Sequence, residues 1–238
     1  MKLGVSFSAC INMLMGVLSG ELRMKDAILR VAPTFNVKYL ELPADLFIFN
    51  MDEAESLMNK LRSMGYNLTI HLPYMYIDVS SLNERIREAS TRTVIDIINM
   101  SEPHVETYVL HPYASFGKIL ESLGAPMKTT KTDEDRLVEA SRRSLKEVLA
   151  ETGIDPSRIA IENVESGNYE KYWRELINLG VTICIDVGHL ILLNHEPKFI
   201  IKKWSRYVSE FHIHDVVRVG GALIDHQQIG TGIINWRE

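Results

Sequence analysis

Apolar and polar positions alternate along this chain in short blocks, and block after block ends on a side chain that can hold a metal. Leu68-Thr-Ile-His71, Tyr108-Val-Leu-His111, Ile159-Ala-Ile-Glu162, Cys184-Ile-Asp186 and Phe211-His-Ile-His214 all read this way. Strand-like runs begin near positions 3, 39, 68, 107, 158, 181 and 209. Between them, residues 21–35, 52–64, 82–100, 133–152, 169–179 and 197–207 carry apolar positions at helical spacing. Gly65, Gly153 and Gly180 stand where glycines end helices. Strands alternating with helices predict an α/β chain, a parallel (β/α) TIM barrel spanning residues 1–238 as one domain. Seven strands are visible. Asn235 reads as the cap of a further helix leading toward an eighth, so the chain is expected to be truncated before that strand or, as the second choice, to be an open barrel closed by a partner.

Strand parity adds chemistry to the fold. Residues i and i+2 share a face about 6.6 Å apart, so Ala160 with Glu162, Thr182 with Cys184 and Asp186, and His212 with His214 point the same way. The last inward residue of each set is polar, with small or apolar residues beneath, which predicts a packed floor under a polar rim. His214 is then the ligand at the rim and His212 sits one layer deeper. Glu162 and Asp186 at the ends of apolar strands are costly without donors or a cation. In parallel barrels the C-terminal strand ends form the active face. His189, three residues past Asp186, and His226, in a glycine-bearing loop, add two more imidazoles.

Other positions bear on substrate. Glu41 in Tyr39-Leu-Glu-Leu faces inward and either touches substrate or makes a structural hydrogen bond. Tyr74 and Tyr76, beside His71, can stack on a sugar or a base. Residues 113–131 form a long connection on the catalytic face, with Gly117, Gly124 and Pro126 among Lys118, Lys128 and Lys131. That segment reads either as a lid carrying cations to an anionic substrate or as a solvated loop.

Composition sets limits. The 238 residues suit one barrel, and 46% hydrophobic with 24% charged residues is ordinary for a globular domain. A net charge of −5 lends no support to an extended phosphate-binding surface. Cys10 and Cys184 lie in apparent strands, which predicts a reduced, cytoplasmic compartment without a disulfide framework. The first twenty residues resemble a secretory leader weakly, but Ser6, Ser8 and Asn12 interrupt the run and Leu3 to Ser8 serves as the first strand. No run approaches the roughly 20 apolar residues of a membrane span, so no membrane partner is expected.

The order His71-Leu-Pro-Tyr, His111-Pro, Glu162-Asn, Asp186-Val-Gly-His189, His212-Ile-His214-Asp and Asp225-His226-x-x-Ile-Gly-x-Gly resembles the xylose isomerase-like TIM barrel superfamily. That group contains sugar isomerases and epimerases and the endonuclease IV type of apurinic-site nuclease. In the isomerase branch the resemblance implies one divalent ion (zinc, manganese, magnesium or cobalt). It would be held by Glu162, Asp186, His214 and a strand-eight Glu that has no counterpart here. In the endonuclease branch it implies three zinc ions, with His71, His111, His189 and His226 as further ligands. The Asp expected two residues before His226 is Ile224, and Asp225 is displaced by one. The first expectation is a sugar or sugar-phosphate isomerase/epimerase with Glu162 and His71 as catalytic residues. Tyr74, Glu41 and Lys118 would meet its small-molecule substrate. The alternatives are a zinc hydrolase of the endonuclease IV type, where nucleic acid becomes a partner, and a barrel that binds sugar or metal without turnover. Homo-oligomer formation is left open.

Overall fold

The computed structural model describes residues 2–7, 23–46, 51–113, 131–165 and 167–237. Among these, seven strands form one parallel sheet in chain order: β1 Gly4–Ser6, β2 Tyr39–Pro43, β3 Asn67–His71, β4 Val105–Leu110, β5 Ile159–Glu162, β6 Thr182–Asp186 and β7 Val208–His212. The connections carry helices α1 Met24–Val31, α2 Met51–Ser63, α3 Glu84–Ser101, α4 Lys131–Thr152, α5 Tyr169–Leu176, α6 Val187–Leu192 and α7 Pro197–Trp204. Among the described residues no helix is long and apolar enough to cross a membrane. Lys118, Lys128 and Cys10 lie outside the described residues.

The alternation along each strand divides the sheet into two faces. Leu40, Leu42, Leu68, Ile70, Tyr108, Leu110, Ile159, Ile161, Ile183 and Ile185 belong to the large core shared with helix residues such as Leu57, Val94, Ile98, Leu145 and Trp173. The indole N–H of Trp173 also donates to Ile161 O at 3.0 Å, tying α5 to β5 next to Glu162. The opposite parity carries Glu41, Thr69, His71, Glu162, Asp186 and His212, above a small apolar cluster of Val109, Ala160 and Cys184. That inner face is more polar than the sequence reading expected. Glu41 and Glu210 lie among its lower residues, around His212.

One contact reveals the curvature. Glu41 on β2 lies 3.0 Å from His212 on β7, whereas five strand steps across a flat sheet would separate them by about 24 Å. The sheet therefore curls until its second and seventh strands face each other across the interior. It is a barrel wall.

Beyond β7 the structure departs from expectation. His226 lies not in a loop but in an antiparallel hairpin of β8 Asp215–Val219 and β9 Ala222–Gln227. Gly220 and Gly221, at φ +55° and +88°, supply the left-handed turn that a tight hairpin requires. The helix expected at Asn235 is also absent among the described residues. Instead residues 228–237 fold back onto Asp215, whose buried carboxylate accepts from Val216 N–H, Gly230 N–H, Ile234 N–H and Trp236 Nε1–H at 2.8–3.2 Å. Asn235 closes a small turn by accepting from Arg237 N–H. Burial alone would raise the Asp215 carboxyl. The backbone N–H of Gly232 and the other donors outweigh that and hold it well below the usual range.

Asp215→Asn turns one acceptor into a donor facing donors. Chemical denaturation should show a loss of about 2–3 kcal/mol, the cost of buried groups left unpaired.

Candidate metal centre

Three strand ends converge on one carboxylate. Glu162, the last residue of β5 and 1% exposed, receives His71 Nε2 and His111 Nε2 at 3.1 and 3.0 Å on the same oxygen, Oε2. His212 Nδ1 meets the other oxygen at 2.9 Å. Burial would raise the Glu162 carboxyl, but the charge of His212 and the hydrogen bonds of His111 and His212 hold it well below the ordinary value.

The tautomer of His71 makes this arrangement informative. Its Nδ1–H donates to Leu72 O at 2.9 Å. A neutral ring then turns the Nε2 lone pair toward a carboxylate oxygen, which is repulsive unless a proton or a cation lies between them. Burial lowers the His71 pKa, while the hydrogen bond and charge of Glu162 raise it and prevail. For His111 burial prevails and the pKa falls. His111 Nδ1 has no hydrogen-bond partner among the described residues. Tyr74 packs on both rings, with centroids 5.0 Å from His71 and 4.7 Å from His111. Burial pushes its phenol up to about 12.

A second group is built around Asp186. This residue ends β6 and caps α6, where Oδ1 accepts from His189 N–H at 2.7 Å. Asn163 holds it on both sides: the amide donates to Asp186 O at 2.9 Å and accepts from Asp186 N–H at 2.8 Å. His189 Nδ1–H donates to Asn163 O at 2.9 Å. Its Nε2 faces Glu165 and Asp225, each 3.8 Å away. His214 Nε2–H donates to Asp186 Oδ2 at 2.9 Å, while His214 Nδ1 accepts from His226 N–H at 2.9 Å. The His214 ring lies against Gly188, where a Cβ would run into it. Only glycine fits there.

The hairpin resolves the displaced aspartate. Asp215 pairs with Gln227 and Val217 with Ile224, so Val216 faces both Asp225 and His226 across a β-bulge. His226 takes φ +55°. Neighbours on a regular strand point to opposite faces. Here Asp225 approaches His189, while the His226 ring stacks on His214 at 4.1 Å and 13°. Ile224 occupies the position expected for the carboxylate, yet Asp225 still reaches the cluster.

His71, His111, Glu162, Asp186, His189, His214 and His226 all lie in this web. The roles of the last two strand-seven histidines differ from the parity reading. His212 is on Glu162, and His214 is on Asp186 instead, because β7 ends at His212 and the chain turns over Gly188. Glu41, 5% exposed, lies beneath the rim against His212 rather than at the mouth. Although burial raises its carboxyl, the His212 charge holds it below the usual range. Burial and the charge of Glu41 push Glu210 up to about 7. Glu165 had no strand-end signature and was missed. Imidazole and carboxylate donors suit zinc.

Residues 29–238 match the model of the xylose isomerase-like TIM barrel family. The chain belongs to that family. It is 29% identical to the uncharacterized protein MJ1614 of Methanocaldococcus jannaschii over 248 residues, covering 99% of this chain and 85% of the relative. Among solved structures, a D-tagatose 3-epimerase-like protein superposes with TM-score 0.71 at 18% identity, covering 99% of this chain and 83% of that one. The 3-keto-D-glucoside 4-epimerase YcjR of E. coli gives 0.62 at 15%, over 89% and 78%. Endonuclease IV of Thermus thermophilus gives 0.61 at 15%, over 87% and 78%. These likenesses establish the fold.

Gly188→Ala should drive His214 off Asp186 and leave His71, His111 and Glu162 in place. Zinc titration against a chromophoric chelator should then show binding that depends on Asp186 and His214 reduced about tenfold or more, with binding that depends on His71, His111 and Glu162 kept.

Proposed function

We propose that this chain is a zinc-dependent hydrolase acting on a phosphodiester or related bond. The observation that carries the reading is the position of Glu162 between two donor groups. His71 and His111 approach one of its oxygens and His212 the other. The second side continues through Asp186 to His189, His214 and His226. Six of the eight histidines of the chain are thus gathered in one web, more imidazoles than a single ion can use. Zinc, when bound, supplies Lewis acidity at neutral pH.

The residues divide the remaining work. Glu162 spans the two groups and sets their separation. Asn163 fixes the backbone of Asp186, and the Asp225–His226 bulge brings the outermost donors inward. Tyr74 keeps its hydroxyl hydrogen at neutral pH and can donate it to an anionic oxygen. Tyr76, 70% exposed beside the rim, offers a ring face to a sugar or base. The isomerase reading asks Glu162 to accept a substrate proton. That fits less well, because both of its oxygens are engaged by imidazoles.

Zinc-loaded protein should cleave bis(p-nitrophenyl) phosphate or a duplex with an abasic site. A strong chelator should stop the reaction, and Glu162→Gln should slow it by about 10²–10³. Epimerisation of a ketohexose with no phosphodiester cleavage would overturn the reading. Zinc affinity should also rise with pH through and beyond the ordinary imidazole value of about 6.5, since the raised pKa of His71 lets protons compete for its Nε2.

A further inference from the structure

The imidazole of His212 joins the rim to the floor. Nδ1 lies 2.9 Å from Glu162 Oε1 and 3.9 Å from Asp186 Oδ2. Nε2 lies 3.0 Å from Glu41 Oε2, on the opposite wall of the barrel. A ligating imidazole presents a lone pair at one nitrogen and a hydrogen at the other, and the partner of the second nitrogen decides which is which. His71 and His189 are set one way: each Nδ1–H donates to a backbone carbonyl, and Nε2 is left to ligate. His212 faces the opposite requirement. Its Nδ1 points to the carboxylates of the rim, so its Nε2 needs an acceptor inside the barrel. Glu41 supplies that acceptor from β2.

We infer that Glu41 is a positioning residue: it holds the hydrogen of His212 on Nε2 and so makes Nδ1 the ligating atom between Glu162 and Asp186. This rests on the zinc reading above. It also gives the curl of the sheet a chemical consequence, because β2 and β7 must face each other for the pair to form.

The test reads the tautomer directly. In zinc-loaded protein with ¹⁵N-labelled histidine, long-range ¹H–¹⁵N correlations should show His212 protonated at Nε2 and metal-bound at Nδ1. The opposite pattern overturns the inference, and needs no variant to fold. Glu41→Leu should weaken zinc binding about 10–100-fold, measured by chelator competition. Glu41→Gln, whose amide oxygen still accepts, should recover most of the loss. Zinc binding that responds to Glu162→Gln but not to Glu41→Leu overturns this inference alone. If the wild-type chain binds no zinc, the hydrolase reading falls and the inference falls with it.

Discussion

The structure turns on a carboxylate that is almost completely buried and, among the described residues, has no lysine or arginine in its hydrogen bonds. Glu162 is met by imidazoles from the ends of β3, β4 and β7. A buried ion without compensation costs several kcal/mol, so those three contacts are a condition for the fold as well as for chemistry. They can be made together only if the parallel sheet curls. The curl in turn depends on the division of each strand into an apolar face under the helices and a polar face toward the interior.

Around this centre the backbone is organised by two aspartates. Asp186 ends β6, caps α6 and is clamped by Asn163, which places His189 and leaves room over Gly188 for His214. Asp215 acts through the main chain. By gathering the N–H groups of Gly230 and Ile234 and the indole of Trp236, it anchors the segment that follows the hairpin. That hairpin carries the bulge at Asp225 and His226.

Much of this was readable from the residue order. Parity and strand ends located His71, His111, Glu162 and Asp186, because in a parallel sheet the last inward residue of a strand necessarily faces its neighbours' last inward residues. Parity could not separate the partners of His212 and His214, since it assumes that the strand continues. The structure ends β7 at His212, and tertiary packing over Gly188 decides the rest. The hairpin was missed although Gly220-Gly221 between Asp-Val-Val-Arg-Val and Ala-Leu-Ile-Asp is a sign of one. Asn235 fits both a helix cap and a short turn, and the demand of Asp215 for donors selects the turn. Glu41 was correctly placed on the inner face, but its partner lies 171 residues away and no local pattern points to it.

The central claim is that Glu162 joins two metal-binding groups. Diffraction from zinc-loaded crystals on either side of the zinc absorption edge tests it most directly. The account predicts more than one anomalous peak in the barrel mouth, one within bonding distance of His71, His111 and Glu162 and another shared by Glu162, Asp186 and His212. A single peak at Glu162, Asp186 and His212, with His71 and His111 still hydrogen-bonded to the carboxylate, would contradict it.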